Sequence, residues 1–125
     1  MTRYLIDANS AVYAMDAGNE RLKNRIADCE EGEIAISVIS YAEVVYGTYV
    51  GKPPPAAVLE AFVAAIPLAV FDEAAAREYA KLPFKRARFD RLLAAHALSI
   101  GATIITNNEA DFADVPGLKV ENWTI

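Results

Sequence analysis

Tyr4-Leu5-Ile6 is a short apolar run that ends abruptly in a carboxylate, Asp7. Three other acids stand in marked surroundings: Glu43 in SYAEVVYG, Asp90 at the head of DRLLAAHAL, and Asp111 in TNNEADF. Taken singly, each has an ordinary reading. Asp7 and Asp90 suit helix N-caps, Glu43 suits an exposed glutamate near a helix N-terminus, and Asp111 suits a solvated loop. Taken together they suggest chemistry. Clustered carboxylates raise one another's pKa unless a cation is present. Hard oxygen donors with no suitable His or Cys set point to Mg2+ or Mn2+. Such an ion lowers the pKa of bound water and stabilises in-line displacement at phosphorus. Residue type and placement therefore indicate a metal-dependent phosphoryl-transfer site.

The basic residues support the same chemistry. Net charge is −5, which disfavours indiscriminate nucleic-acid binding. Yet five of the 12 Lys and Arg fall between positions 81 and 91: Lys81, Lys85, Arg86, Arg88 and Arg91, opposed there only by Asp90. This stretch directly precedes and overlaps the third acid and can hold phosphates beside it. A solvated surface face is the alternative. His96, the only histidine, lies six residues beyond Asp90. A helical rotation of about 100° per residue turns it away from that acid, so it reads as a packing or hydrogen-bonding residue. Cys29, the only cysteine, excludes an internal disulfide and a Cys-rich zinc site; it reads as an ordinary thiol in a reducing compartment.

The elements that must position these groups follow from periodicity. Short apolar strands are expected at 3–6, 34–36, 68–70, 103–105 and 118–120. Helices are expected between them. The first is capped by Asn9 or Ser10; another covers 20–29 with Leu22, Ile26 and Cys29 on one face. A third runs from a Ser37 or Ser40 cap to Tyr49, with Val38, Ala42, Val45 and Tyr49 as its apolar stripe. A fourth covers 56–66, with Val58, Leu59, Phe62, Val63 and Ile66 inward, and is stopped by Pro67. A fifth is capped by Asp72 and reaches Leu82. The last spans 90–100 and is closed by Gly101. Alternation of this kind argues for an α/β fold with a parallel sheet covered on both faces, in one domain spanning 1–125. In such folds ligands bind beyond the carboxyl ends of the strands, which places Asp7 and the 106–111 stretch at one edge. The acid at position 7 leaves no apolar core for a signal peptide. The longest clean apolar run, 61–71, is shorter than the roughly 20 residues that span a bilayer, so a cytoplasmic protein without membrane contact is expected.

YLIDANSAVY, ISVISYAEVVYG, FDRLLAAHALSIGATIITNNEADF and the ending VPGLKVENW, in this order and spacing, resemble the PIN-domain ribonucleases, specifically the VapC-type toxins of type II toxin–antitoxin pairs. The resemblance runs from about Tyr4 to Trp123. It implies a single PIN-like domain, an α/β/α sandwich around a central parallel sheet of about five strands. It also implies a Mg2+- or Mn2+-dependent endoribonuclease acting on RNA, often tRNA, held in check by a cognate VapB-like antitoxin. Carried over by residue, Asp7, Glu43, Asp90 and Asp111 become the catalytic and metal-binding acids, with Asp7 and Asp90 as the firmest ligands. Asn9, Thr106 and Asn108 match a supporting polar shell, and Lys85, Arg86, Arg88 and Arg91 become candidate RNA contacts. The antitoxin would cover an apolar groove between helices. The 44–46 run and the 56–66 helix are candidates for lining that groove or a homodimer interface; core packing is their alternative. Two departures stand out. Many relatives carry a glycine and an apolar residue shortly before the third acid, where this chain has KLPFKRARFD. Some carry an acid nearer the threonine, where this chain has Asn107 and Asn108, which makes Glu109 a rival to Asp111. Two rival functions remain at this point. One is a catalytically inert nucleic-acid- or protein-binding module of the same fold. The other is an aspartyl-phosphate phosphatase with Asp7 as nucleophile, which lacks the usual second acid because that position is Asn9.

Overall fold

The computed structural model describes all residues except Lys85 and Ala87. Five strands form one parallel sheet in the order β3-β2-β1-β4-β5: β1 Tyr4–Ile6, β2 Ile34–Ser37, β3 Leu68–Ala69, β4 Thr103–Ile105 and β5 Val120–Glu121. The chain first adds strands to one side of β1, then returns to add β4 and β5 on the other. The order reverses between β1 and β4, so a crevice opens beyond their carboxyl ends, where Asp7 and Thr106 directly follow.

Parallel strands covered on both faces must be apolar at every position, and the two faces alternate residue by residue. Leu5, aligned with Ala35 and Ile104, faces a core built with Leu93, Ala94, Ala97, Phe112 and Val115. Ile6, aligned with Ile36 and Ile105, faces the opposite core with Ala11, Leu22, Ile66 and Trp123. The helices supplying those cores are α1 Ala8–Met15, α2 Glu20–Ala27, α3 Val38–Tyr49, α4 Ala56–Ala65, α5 Glu73–Ala80 and α6 Arg88–Ile100. Pro67 stops α4, Asp72 caps α5 through a bond accepted from Ala75 N, and Gly101 closes α6 at φ +67°, as expected.

Several boundaries differ from expectation, each for a local reason. The cap of α1 is Asp7 itself, not Asn9 or Ser10. Its backbone is still extended, and its Oδ1 accepts the Ser10 amide at 2.8 Å. Ser37, not Ser40, caps α3, accepting from Ile39 N at 3.1 Å. Ser40 and Val44, one turn apart, then become the buried residues of α3, while Ala42, Val45 and Tyr49 of the expected stripe are exposed. Helix α6 begins at Arg88, so Asp90 lies inside its first turn instead of capping it. The Pro116-Gly117 turn closes through Leu118 N to Val115 O, which delays β5 to Val120. Val58 of α4 is exposed, whereas Leu59 is buried and Phe62 and Val63 are partly so.

His96 fills the expected packing role. It is buried on α6, shares a 2.8 Å hydrogen bond between Nδ1 and Ser37 Oγ, and meets the edge of Phe71. Burial holds its pKa down. Cys29 lies against the second core with its pKa raised by burial, the opposite of an activated thiolate. Among the described residues, no helix is long and apolar enough to cross a membrane.

Trp123 closes the second core. It is 2% exposed, meets Tyr4 edge-on at 4.8 Å, lies under the Arg25 guanidinium and donates its indole N–H to Glu121. Trp123→Ala should therefore cost about 3–5 kcal/mol through the cavity it leaves. In urea unfolding this is read as a lower midpoint with an unchanged m-value.

Candidate active site

Each of the four acids reaches the crevice on a different element. Asp7 leaves the end of β1, where its amide donates to Ile105 O at 2.9 Å and so ties it to β4. Glu43 projects from the second turn of α3, Asp90 from the first turn of α6, and Asp111 from a 3-10 helix, Glu109–Phe112, that follows β4. Phe112, buried in the first core, anchors that short helix.

The acids share one electrostatic field. The Asp7 carboxyl has its pKa raised, mostly by burial and further by the charge of Asp111; hydrogen bonds from Thr106 and Ser10 pull the other way. Burial also raises the pKa of Asp90, and the charges of Asp111 and Asp7 add to the effect while Arg91 opposes it. Glu43 is exposed at its surface, but the surrounding protein still desolvates its carboxyl, and Asp90 and Asp7 raise its pKa further. On the 3-10 helix it is the charge of Asp111 that reaches Asp7 and Asp90.

The polar residues around the acids divide into two kinds. Thr106 is fully buried; it hydrogen-bonds Asp7, and its Oγ1 accepts the Asn108 amide at 3.0 Å. Asn108 in turn donates its side-chain N–H to Asp111 Oδ2 at 2.6 Å. One chain of bonds thus links the first acid to the fourth. Asn9 is exposed and lines the neighbouring groove, away from this chain of bonds.

Of the expected RNA contacts, Arg86 and Arg88 line an open cleft of about 480 Å3 with Glu43, Asp90 and Phe89. The Arg88 guanidinium also lies over the ring of Phe84, and both Phe84 and Phe89 are largely exposed. Arg91 must be corrected: its side chain is 2% exposed and held by Asp114, so it faces neither solvent nor RNA. The helix phase sets this, because Arg91 falls on the face of α6 that packs inward with Leu93 and Ala94. Lys85 lies outside the described residues. Sequence reasoning missed Phe84, Phe89 and Asp114. An aromatic next to a basic residue was a visible signal for the first two; nothing in the spacing pairs Arg91 with a residue 23 positions away. A second hollow of about 470 Å3 runs between α1 and α3, floored by Val12, Val44 and Pro53 to Pro55 and bordered by Glu43.

The donor set suits a hard divalent cation. All four candidates are carboxylates, and their mutual repulsion is what a cation relieves. Among the described residues, no three of the acids converge closely enough to form a ready-made cage. Mg2+ is commonly held by only one or two carboxylates, with water and substrate phosphate completing its shell.

Residues 4–118 match the PIN domain. Over 133 aligned positions the chain is 30% identical to the tRNA(fMet)-specific endonuclease VapC of Shigella flexneri, across 99% of this chain and 100% of that protein. The chain belongs to the VapC family of PIN-domain proteins. Another VapC-family relative, Ribonuclease VapC2 of Rickettsia felis, is 29% identical over 96% of this chain and 97% of its own. The VapC-family architecture recurs in the DNA-bound VapBC complex of Salmonella typhimurium, with a TM-score of 0.86, 25% identity and coverage of 98% and 99% of the two chains. The expected α/β fold with its five-stranded parallel sheet is the fold of this family.

Asp7 provides a test of the electrostatics. Its pKa is raised in the folded state, so folding favours the protonated carboxyl. No penalty exists at a pH below its unfolded pKa; the penalty is complete once the pH exceeds the folded one. Asp7→Asn removes the charge and keeps a good N-cap. In chelator, the variant should melt together with the wild type near the bottom of the carboxylate range. It should become more stable by on the order of 1 kcal/mol at neutral pH. Thermal melts across that range check the sign.

Proposed function

We propose that this chain is a Mg2+- or Mn2+-dependent endoribonuclease toxin, restrained by a cognate VapB-like antitoxin. The observation that carries this reading is the shared field of Asp7, Glu43, Asp90 and Asp111 at the sheet's switch point, in a chain of the VapC family. Asp7, at the end of β1, and Asp90, in the first turn of α6, hold the metal. Glu43 and Asp111 orient water and complete the shell. Thr106 and Asn108 fix the directions of Asp7 and Asp111 through the bonds described above. Arg86 and Arg88 hold the RNA backbone along the cleft. When bound, the cation supplies an acidified water and stabilises charge on the phosphoryl oxygens. Hydrolysis of a phosphodiester needs a general base to take the proton from the attacking water; Glu43 and Asp111 are the candidates for that base by position. The P–O bond breaks in the same reaction, and the departing oxygen is protonated from solvent.

Structured RNA such as tRNA is the proposed substrate class, supported by the activity named for the Shigella relative. Pairing with an antitoxin is supported by the Salmonella VapBC complex. The hollow between α1 and α3 is the proposed seat for the antitoxin, since it borders Glu43 and leads to the acids. The exposed Val45, Tyr46, Tyr49 and Val50 of α3 and its C-cap support a homodimer. The phosphatase reading loses ground because the acids are spread over four elements and none stands two residues after Asp7. An inert module would not need to gather four repelling carboxylates.

Asp7→Asn should lower RNA cleavage by at least about 100-fold while leaving the far-UV circular dichroism unchanged. Cleavage ends mapped after brief expression should disappear with the substitution, and growth inhibition should be relieved. Undiminished cleavage by the purified variant would overturn the assignment.

A further inference from the structure

Arg91 and Asp114 form a part-buried contact that the chemistry above does not use. One guanidinium nitrogen, Nη2, donates to both carboxylate oxygens of Asp114, at 2.7 and 2.6 Å. The arginine side chain is 2% exposed and that of the aspartate 40%. The other terminal nitrogen, Nη1, is buried without a hydrogen-bond partner among the described residues.

Stability alone accounts poorly for such a pair. Burying the Arg91 guanidinium costs desolvation that its attraction to a part-exposed carboxylate only partly returns. An unpartnered buried N–H adds a further cost. The loop that carries Asp114 is in any case anchored on either side by Phe112 and Val115, both buried in the first core. Apolar contacts set the depth of that loop but have no direction. A two-oxygen contact to a charged donor does have direction, and it fixes where the loop lies along α6.

The ends of this contact are informative. Arg91 directly follows Asp90 on α6, and Asp114 follows Asp111 by three residues across the end of the 3-10 helix. The pair therefore ties together the two backbones that carry the third and fourth acids. We propose that Arg91 and Asp114 are a positioning pair that sets the separation of Asp90 and Asp111 and thereby the affinity for the divalent cation. This proposal rests on the reading of the acids as a metal site. Arg91 is a positioning residue, not a catalytic one, since its guanidinium is turned away from the cleft.

The test uses the full chain, with Mn2+ as the probe, in calorimetry and thermal melts. Arg91→Met and Asp114→Leu should each lower the melting temperature. Combined, they remove both ends of this contact and should recover most of that loss. The double variant should still bind Mn2+ about 10-fold or more weakly, the usual scale for loss of a supporting contact behind a ligand. It should need correspondingly more metal for half-maximal RNA cleavage, with kcat at saturating metal close to wild type. Wild-type Mn2+ affinity in a refolded double variant would reduce the pair to a structural feature and overturn the proposal. If the double variant fails to fold, Arg91→Lys decides the matter. It keeps the charge beside Asp90 but loses the planar guanidinium, so weaker Mn2+ binding supports positioning and unchanged binding overturns it. Wild type and Asp7→Asn are run alongside. If the wild type binds no Mn2+, the metal reading fails and takes this proposal with it. If the wild type binds and Asp7→Asn does not, but Arg91→Lys and the double variant bind as wild type does, only the positioning role fails.

Discussion

Like charges held together against their own repulsion are the constraint on which this molecule is built. A parallel sheet opens a crevice where its strand order reverses, and here Asp7 and Thr106 follow the two strands that border that crevice. Helices α3 and α6 bring Glu43 and Asp90 to the same place. Desolvation and mutual charge raise the pKa of Asp7, Glu43 and Asp90, so the fold bears a local cost there that its two apolar cores must offset.

That cost explains why the supporting contacts around the acids are directional while the cores are not. Asp7 is held by a backbone bond to β4, by its own capping bond, and by Thr106. Thr106 passes the constraint to Asn108, and Asn108 passes it to Asp111. Apolar burial fixes the height of each element above the sheet; these bonds fix the aim of individual carboxylates. Such carboxylates would otherwise rotate away from one another.

Much of this was legible in the sequence because each feature had a local cause. Short apolar runs marked the strands, and Pro67, Asp72 and Gly101 marked helix ends by backbone chemistry that operates wherever the chain goes. Three of the four acids stood out in the sequence because strand ends and helix starts are where a parallel sheet gathers residues. The features that escaped were decided by rotation or by distance. A helix starting at Ser37 turned α3 so that Ser40 and Val44, not the more apolar Val45 and Tyr49, faced inward. Starting α6 at Arg88 carried Arg91 into the interior, away from the basic cluster to which its sequence neighbours belong. Its partner Asp114 lies across a tertiary contact for which no periodicity exists. Asp7 takes the cap role that its ordinary reading offers, since its Oδ1 serves the Ser10 amide, and this leaves its second oxygen for other partners.

Glu43 is part of the wall of two hollows at once: the cleft with Arg86, Arg88 and Asp90, and the apolar trough between α1 and α3. A body filling the trough therefore changes the dielectric around a carboxylate belonging to the cleft. Among the described residues, Glu43 is thus the one side chain through which occupancy of the trough would bear on the charge lining the cleft.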